Sequence, residues 1–275
     1  MGALNETFEL WNGVKIPKLA LGTWQMPPGE TTYKAVLFAL QHGYRHIDTA
    51  YAYGNEASVG KAVRDSGLAR ADVFVTTKLP AEVKSYEGAL EYFERTMANL
   101  SLGYVDLYLI HAPWPWHRKG EDFTLQNIEV WKAFEHIYHN GQCRAIGVSN
   151  FDVRDLRALM ANCSVKPMAN QIKFHIGHTQ PELTQFCQEN GILVQAYSPL
   201  ATGKIFRDQR IAPVAKKYGR TVAQICIRYA LQKGLQPIPK SVHPERILED
   251  ADVDFEISAE DVRYLDSLGA QATLA

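Results

Sequence analysis

Residues 44–60 read Y-R-H-I-D-T-A-Y-A-Y-G-N-E-A-S-V-G, and the order of side chains in that stretch decides the fold. The apolar-centred run Tyr44–Ile47 ends in a carboxylate, Asp48. Tyr53 follows after a short gap, and Gly54-Asn55-Glu56 reads as the start of a helix. Strand, loop and helix in that order make one βα unit, and the loop after the strand is where such units carry their reactive groups.

Outward from this stretch the same unit repeats. Strand-like apolar runs fall at Leu19–Leu21, Tyr44–Ile47, Val73–Thr77, Val105–Ile110, Arg144–Val148, Met168–Ile172, Ile192–Ala196 and Leu235–Ile238. Helical spacing fills the intervals: Leu90, Phe93, Met97 and Leu100 share one face of Ala89–Leu100, and Leu125–His139 and Thr221–Gln232 behave alike. Runs such as V-D-L-Y-L-I do not alternate, as expected of parallel strands covered on both faces. Eight such units predict an α/β fold of the (β/α)8 TIM-barrel type, with a doubly wound sheet as the alternative. Ahead of them, Phe8–Trp11 and Val14–Ile16 flank Asn12-Gly13 and predict an N-terminal β-hairpin with a two-residue turn. No linker or low-complexity tract divides the chain, so a single domain is expected over 1–275. The stretch Ala112–Asp122, A-P-W-P-W-H-R-K-G-E-D, is expected to be a long loop over the barrel mouth.

Composition narrows the function classes. The 275 residues are 46% hydrophobic and carry 29 basic against 30 acidic side chains, a formal net charge of -1. No global field draws such a chain to nucleic acid or an anionic membrane, so a small-molecule partner is expected. Four dispersed cysteines without a C-x-x-C pair suit a reducing compartment. With no signal-like segment in Met1–Leu10 and no apolar run near the ~20 residues of a membrane helix, the expected location is cytoplasmic.

The residues just past three consecutive strands carry the chemistry. Asp48 and Tyr53 follow the second, Lys78 ends the third and His111 the fourth. Neighbouring strands lie ~4.8 Å apart, so these four side chains are expected to converge at one mouth. There Lys78 would lower the phenol's reference pKa of ~10, Asp48 would hold the lysine, and His111 would orient a carbonyl. Such a group protonates an alkoxide as it forms, which is half of a hydride transfer. Taken singly, each residue reads as readily as a loop cap, a rim aromatic, a solvated charge or a satisfied histidine.

The chain resembles the aldo-keto reductases from about Phe8 to Asp250. The matching text includes L-A-L-G-T-W (19–24), G-Y-R-H-I-D-T-A-Y-A-Y-G-N-E (43–56), D-L-Y-L-I-H (106–111), G-V-S-N-F (147–151), N-Q-I (170–172), A-Y-S-P-L (196–200) and I-P-K-S-V-x-P-E-R (238–246). Its short loop after Leu200 is similar to that of bacterial members such as the 2,5-diketo-D-gluconate reductases. The resemblance implies a TIM barrel and a catalytic tetrad of Tyr53 as general acid with Asp48, Lys78 and His111. It implies NADPH as cofactor, with NADH as the lesser possibility, and a monomer.

No two of the 19 glycines are separated by one residue, so the G-x-G-x-x-G fingerprint cannot occur and a nicotinamide must be held differently. By resemblance, Thr23, Trp24 and Asp48 lie near it, Ser149, Asn150 and Gln171 bind its carboxamide, and Tyr197 stacks on its ring. Ser198 and Leu200 line the pyrophosphate path. Lys240, Ser241, Val242, His243, Arg246, Glu249 and Asp250 surround the adenosine 2′-phosphate, where a lysine and an arginine at a helix start suit a dianion. Trp24, Tyr51 and Trp114 or Trp116 are expected to wall a pocket whose carbonyl meets Tyr53 and His111. Pro80 and Ala112 stand where many members have Trp, and Lys173 where Glu is frequent, so the pocket is altered. The pair His175 and His178 lacks a third ligand, and no metal site is expected. The expected activity is NADPH-dependent reduction of small aldehydes, α-keto esters, diketones or keto sugars. The alternatives are a non-catalytic NADPH-binding sensor or partner subunit on the same fold and, further off, unrelated metal-assisted chemistry.

Overall fold

The computed structural model describes residues 2–269, so the ends of the 1–275 domain span lie outside the described residues. The chain opens with strands β1 (Thr7–Glu9) and β2 (Lys15–Pro17), then β3 (Leu21–Gly22), α1 (Glu30–Gln41), β4 (His46–Asp48) and α2 (Glu56–Asp65). It continues with β5 (Phe74–Leu79), α3 (Tyr86–Leu100), β6 (Val105–Ile110), α4 (Thr124–His139), β7 (Cys143–Ser149) and α5 (Val153–Met160). Then come β8 (Ala169–Lys173), α6 (Pro181–Glu189), β9 (Leu193–Tyr197), α7 (Ala212–Tyr218), α8 (Val222–Gln232), β10 (Gln236–Ile238), α9 (Pro244–Ala251) and α10 (Ala259–Ser267).

Strands β3 to β10 form one parallel sheet in chain order. Backbone bonds from Ala20 N to Pro237 O (3.3 Å) and from Gly22 N to Pro239 O (2.8 Å) bring its first strand against its last. The expected eight-unit barrel is therefore the observed one, and each predicted strand run overlaps an observed strand. Gly22 lets the two strands approach closely here, since a Cβ there would lie 3.0 Å from Ile238 Cγ2. Every residue of β5 and β6 is buried, which explains why their sequences do not alternate.

Helices cover the outside as their apolar faces dictate. In α3, Phe93 and Leu100 are buried and Leu90 and Met97 pack on the core. Ser85 caps its start by accepting from Gly88 N at 3.1 Å. Thr221 and Gln224 form a capping box that starts α8. Trp131 of α4 is buried and donates its indole N–H to Val165 O at 2.9 Å, so its one polar atom is satisfied inside the core.

The N-terminal hairpin is present, but its turn is longer than expected. Leu10 and Val14 still pair through Leu10 N and Val14 O (2.9 Å), and Gly13 N returns to Leu10 O (2.8 Å) with Gly13 in the left-handed region at φ 83. Asn12 works on both sides of the turn: its Oδ1 accepts from Val14 N at 3.2 Å, and its Nδ2 donates to Arg144 O at 3.0 Å. Trp11 donates to Pro167 O at 3.3 Å. These partners lie where β7 and β8 begin, so the hairpin floors the barrel at the end opposite the strand C-termini.

Candidate active site

Strands β4, β5 and β6 are neighbours, and their ends bring Asp48, Tyr53, Lys78 and His111 to one mouth. Lys78 is fully buried. Its Nζ donates to Asp48 Oδ1 at 2.6 Å, to Thr49 O at 2.8 Å and to the Tyr53 hydroxyl at 3.4 Å. The Tyr53 and His111 rings meet edge to face at 5.6 Å between centroids. A single-turn 3₁₀ helix, Tyr51–Tyr53, closed by Gly54 in the left-handed region, swings the phenol back over the lysine.

The charge states follow from burial. His111 is pushed down to about 3 by desolvation and then by the Lys78 charge, so its imidazole is neutral and carries one N–H to donate. Its Nδ1 is buried without a partner. Burial, then the Asp48 carboxylate, raises Tyr53 well above the ordinary phenol value. The expected lowering of Tyr53 by Lys78 is thus corrected: the lysine's charge is already met by Asp48 at 2.6 Å, and desolvation of a phenolate outweighs what remains. Burial likewise lowers Lys78, opposed by Asp48.

A second set of predicted residues forms one network beside the first. Tyr197 donates to Asn150 Oδ1 at 2.8 Å, and Asn150 Nδ2 donates to His111 O at 3.0 Å and Ser149 Oγ at 3.1 Å. Ser149 Oγ donates to Gln171 O at 2.9 Å, and Gln171 Nε2 donates across the barrel to Asp48 Oδ2 at 2.7 Å. Asn150 and Ser198, each just past a strand end, hold φ of 62 and 52, left-handed backbone that non-glycine residues adopt mainly where the surroundings impose it. Leu200 follows, half-buried, before a 3₁₀ stretch at Ala201–Arg207.

Lys240 and Arg246 are exposed at the start of α9 and make no salt bridge among the described residues; Ser241 is buried, and its Oγ accepts from His243 N at 3.1 Å. Glu249 accepts from Thr221 at 2.7 Å. Asp250 is buried and pushed up to about 7 by desolvation and by Glu249, so its negative charge there is only partial near neutral pH.

Two expected site residues have partners of their own. Tyr51 packs edge-on against Tyr92 of α3 at 5.0 Å. Successive side chains of a 3₁₀ turn point about 120° apart, so Tyr51 and Tyr53 cannot face the same way. The Thr23 hydroxyl is buried and bonded to Asp48 O at 3.0 Å, locking the first loop to the second. Trp24, by contrast, is 47% exposed. In the long loop, Trp116 meets His111 edge-on at 5.5 Å and Trp114 packs behind it at 5.2 Å. Lys84 secures the loop's first residues through Ala112 O (2.8 Å), and Asn127 does so through Pro113 O (2.8 Å).

Sequence reasoning missed Asn55 as a clasp. Buried at the N-cap of α2, it caps nothing; its Nδ2 donates to Thr23 O and Met26 O, both at 3.0 Å, and its Oδ1 accepts from Thr49 at 2.8 Å. The signal was its place directly after Gly54 at the helix start.

A sequence model of the Aldo/keto reductase family matches residues 18–270. The chain belongs to the aldo/keto reductase family. Members are oxidoreductases that act on carbonyl groups. The chain is 42% identical over 267 residues to glyoxal reductase of Bacillus subtilis, covering 97% of this chain and 94% of that one. Among solved structures, an aldo/keto reductase from Brucella melitensis superimposes with a TM-score of 0.89 at 41% identity, covering 96% of this chain and 99% of the other. A Bombyx mori aldo-keto reductase in complex with NADP does so with a TM-score of 0.86 at 32% identity, covering 96% and 92%. Among the described residues no helix is long and apolar enough to cross a membrane.

Proposed function

We infer that this reductase reduces small aldehydes and activated ketones with NADPH, and that Tyr53 delivers the proton. The observation that carries this reading is the Tyr53 hydroxyl held 3.4 Å from a buried ammonium beside a neutral imidazole. A phenol kept protonated by burial holds the proton that a nascent alkoxide needs. As the proton leaves, the phenolate forms next to Lys78, where its charge is stabilised most. His111 donates its N–H to the substrate oxygen, fixing the carbonyl against Tyr53. Trp24 and Trp116 supply apolar walls for the remainder of the substrate.

The residues present fit a nicotinamide nucleotide, which when bound supplies the hydride. Ser149, Asn150 and Gln171 offer a cluster of amide and hydroxyl groups near His111. Lys240 and Arg246, in no salt bridge among the described residues, offer two cations where a 2′-phosphate would lie, and the part-neutralised Asp250 opposes it less than a full carboxylate would. The NADP complex of the Bombyx mori relative supports the same cofactor, and glyoxal reductase supports small dicarbonyls as substrates.

The test is oxidation of NADPH, followed by absorbance, over a panel of glyoxals, aldehydes, α-keto esters and keto sugars, with NADH in parallel. Tyr53→Phe is expected to lower turnover by ~10³-fold with the nucleotide still bound. Turnover within tenfold of the wild type in that variant would remove Tyr53 from the role of acid. Binding without turnover across the panel would leave a sensor.

A further inference from the structure

Three glutamines stand side by side inside the barrel. Gln171 on β8 is in register with Gln195 on β9, which is in register with Gln236 on β10. All three are buried. Gln171 Nε2 donates to Asp48 Oδ2 (2.7 Å) and to Gln195 Oε1 (3.2 Å). Gln195 Nε2 donates to Gln236 Oε1 at 2.5 Å. Gln236 Nε2 then donates to the backbone carbonyl of Pro17, in the floor hairpin, and to His46 Nδ1 at 2.9 Å. His46 Nε2 is left to donate to Thr76 Oγ1 at 2.8 Å.

Donor and acceptor chemistry gives this chain one direction. A backbone carbonyl only accepts, so the NH₂ of Gln236 must face Pro17 and its oxygen must face Gln195. The NH₂ of Gln195 must meet that oxygen, which turns its own oxygen to Gln171. Asp48, a carboxylate, only accepts, and so demands the same orientation of Gln171 from the other end. Both N–H groups of Gln171 are consequently committed inside the barrel, and its Oε1, which takes none of these bonds, remains as an acceptor. A protonated His46 would set a donor against the Gln236 NH₂. Burial holds that imidazole neutral.

We propose that Gln195 is a positioning residue for cofactor recognition: it takes the second N–H of Gln171, so that Gln171 meets the nicotinamide carboxamide through its oxygen alone while still holding Asp48. The proposal rests on NADP(H) being the cofactor, as inferred above. A ligand with an NH₂ at that position is favoured, and one without it loses a neutral hydrogen bond of ~1 kcal/mol, about fivefold in affinity.

The test compares NADP⁺ with its 3-acetylpyridine analogue, which lacks the carboxamide NH₂, by quenching of intrinsic tryptophan fluorescence, without turnover. Wild-type protein is expected to prefer NADP⁺ about fivefold. In Gln195→Met, which removes both ends of the link, NADP⁺ affinity should fall until the preference is within about twofold, with analogue affinity nearly unchanged. Gln195→Glu gives a second readout. Either form of its acid accepts the second N–H of Gln171, as Gln195 Oε1 does. The preference for NADP⁺ should therefore be kept in that variant, at low and at high pH alike.

Equal losses for both nucleotides in Gln195→Met, or a lost preference in Gln195→Glu, would overturn the role of Gln195. Equal affinities for the two nucleotides in wild-type protein would overturn this proposal alone, whereas absence of binding would overturn the cofactor reading and this proposal with it.

Discussion

Two buried aspartates face opposite ends of the barrel, and their partners differ in one respect. Near the floor, Asp106 of β6 is enclosed by Arg70 Nη2 and Arg144 Nη1, both at 2.8 Å, and accepts from Val75 N at 2.9 Å. Its carboxylate is saturated by groups that touch nothing reactive, so the pairing serves architecture. At the mouth, Asp48 is paired with a lysine whose third donor reaches beyond the pair to Tyr53. A buried ion pair is poor evidence for stability in itself. What separates chemistry from scaffolding here is the spare donor and the phenol at its end.

The widest gap between the two sites should come from Lys78→Met. Removing the ammonium beside the nascent phenolate is expected to lower kcat by ~10³-fold, read from NADPH oxidation at saturating carbonyl. A loss smaller than tenfold would mean the third donor is idle and the comparison fails. Asp106→Asn should do the reverse. It breaks a buried ion pair at a cost of ~3 kcal/mol, seen in the urea midpoint, with kcat per folded molecule changed less than twofold.

His46 sharpens the comparison by pH. It is pushed down to about 3 by burial, then by Lys78. Because its folded pKa lies below that of the unfolded chain, near ~6.5, the unfolded state takes up the proton first and stability falls as pH drops through that interval. The loss from this one group between pH 7 and pH 5 is about 2 kcal/mol, and His46→Gln should flatten the urea-midpoint profile there by that amount. An unchanged slope would assign the acid sensitivity to other groups. The smallest effect belongs to the mouth's rim: Trp116→Ala is expected to raise KM for aromatic aldehydes about fivefold, through the loss of ~1 kcal/mol of ring contact, with kcat retained. A change in kcat equal to that in KM would place Trp116 in orienting the carbonyl.

Much of this was legible in the chain itself. Runs buried on both faces, such as β5 and β6, announce parallel strands, and the ends of three consecutive strands carry Asp48, Lys78 and His111 with Tyr53 one turn on. What escaped depends on geometry across the barrel. Gln195 and Gln236 look like stray polar residues in apolar runs until strand register sets them beside Gln171 and barrel closure sets Asp48 opposite. Tyr51 and Tyr53 look equivalent in Y-A-Y, and only the threefold turn parts them. Asn12-Gly13 looks like a two-residue turn, but beside its bond to Val14 N Asn12 also reaches Arg144, which no local pattern records. Trp114 and Trp116 are two residues apart, and only the 3₁₀ turn at Trp116–Arg118 decides which meets His111.

The closure between β3 and β10 has a grain. In a strand, the N–H and C=O of one residue point to the same side, and P-I-P at 237–239 turns both prolines towards β3 and Ile238 towards β9, where it pairs with Tyr197. Proline has no N–H. Hydrogen bonds on this wall therefore run one way, from Ala20 and Gly22 into β10, and nothing returns from Pro237 or Pro239. The barrel is a sheet rolled up and fastened along a line where alternate teeth are missing. That line rises to Thr23-Trp24 on one side and Lys240-Ser241 on the other, so this one-way seam stands between the two segments inferred above to flank the nucleotide.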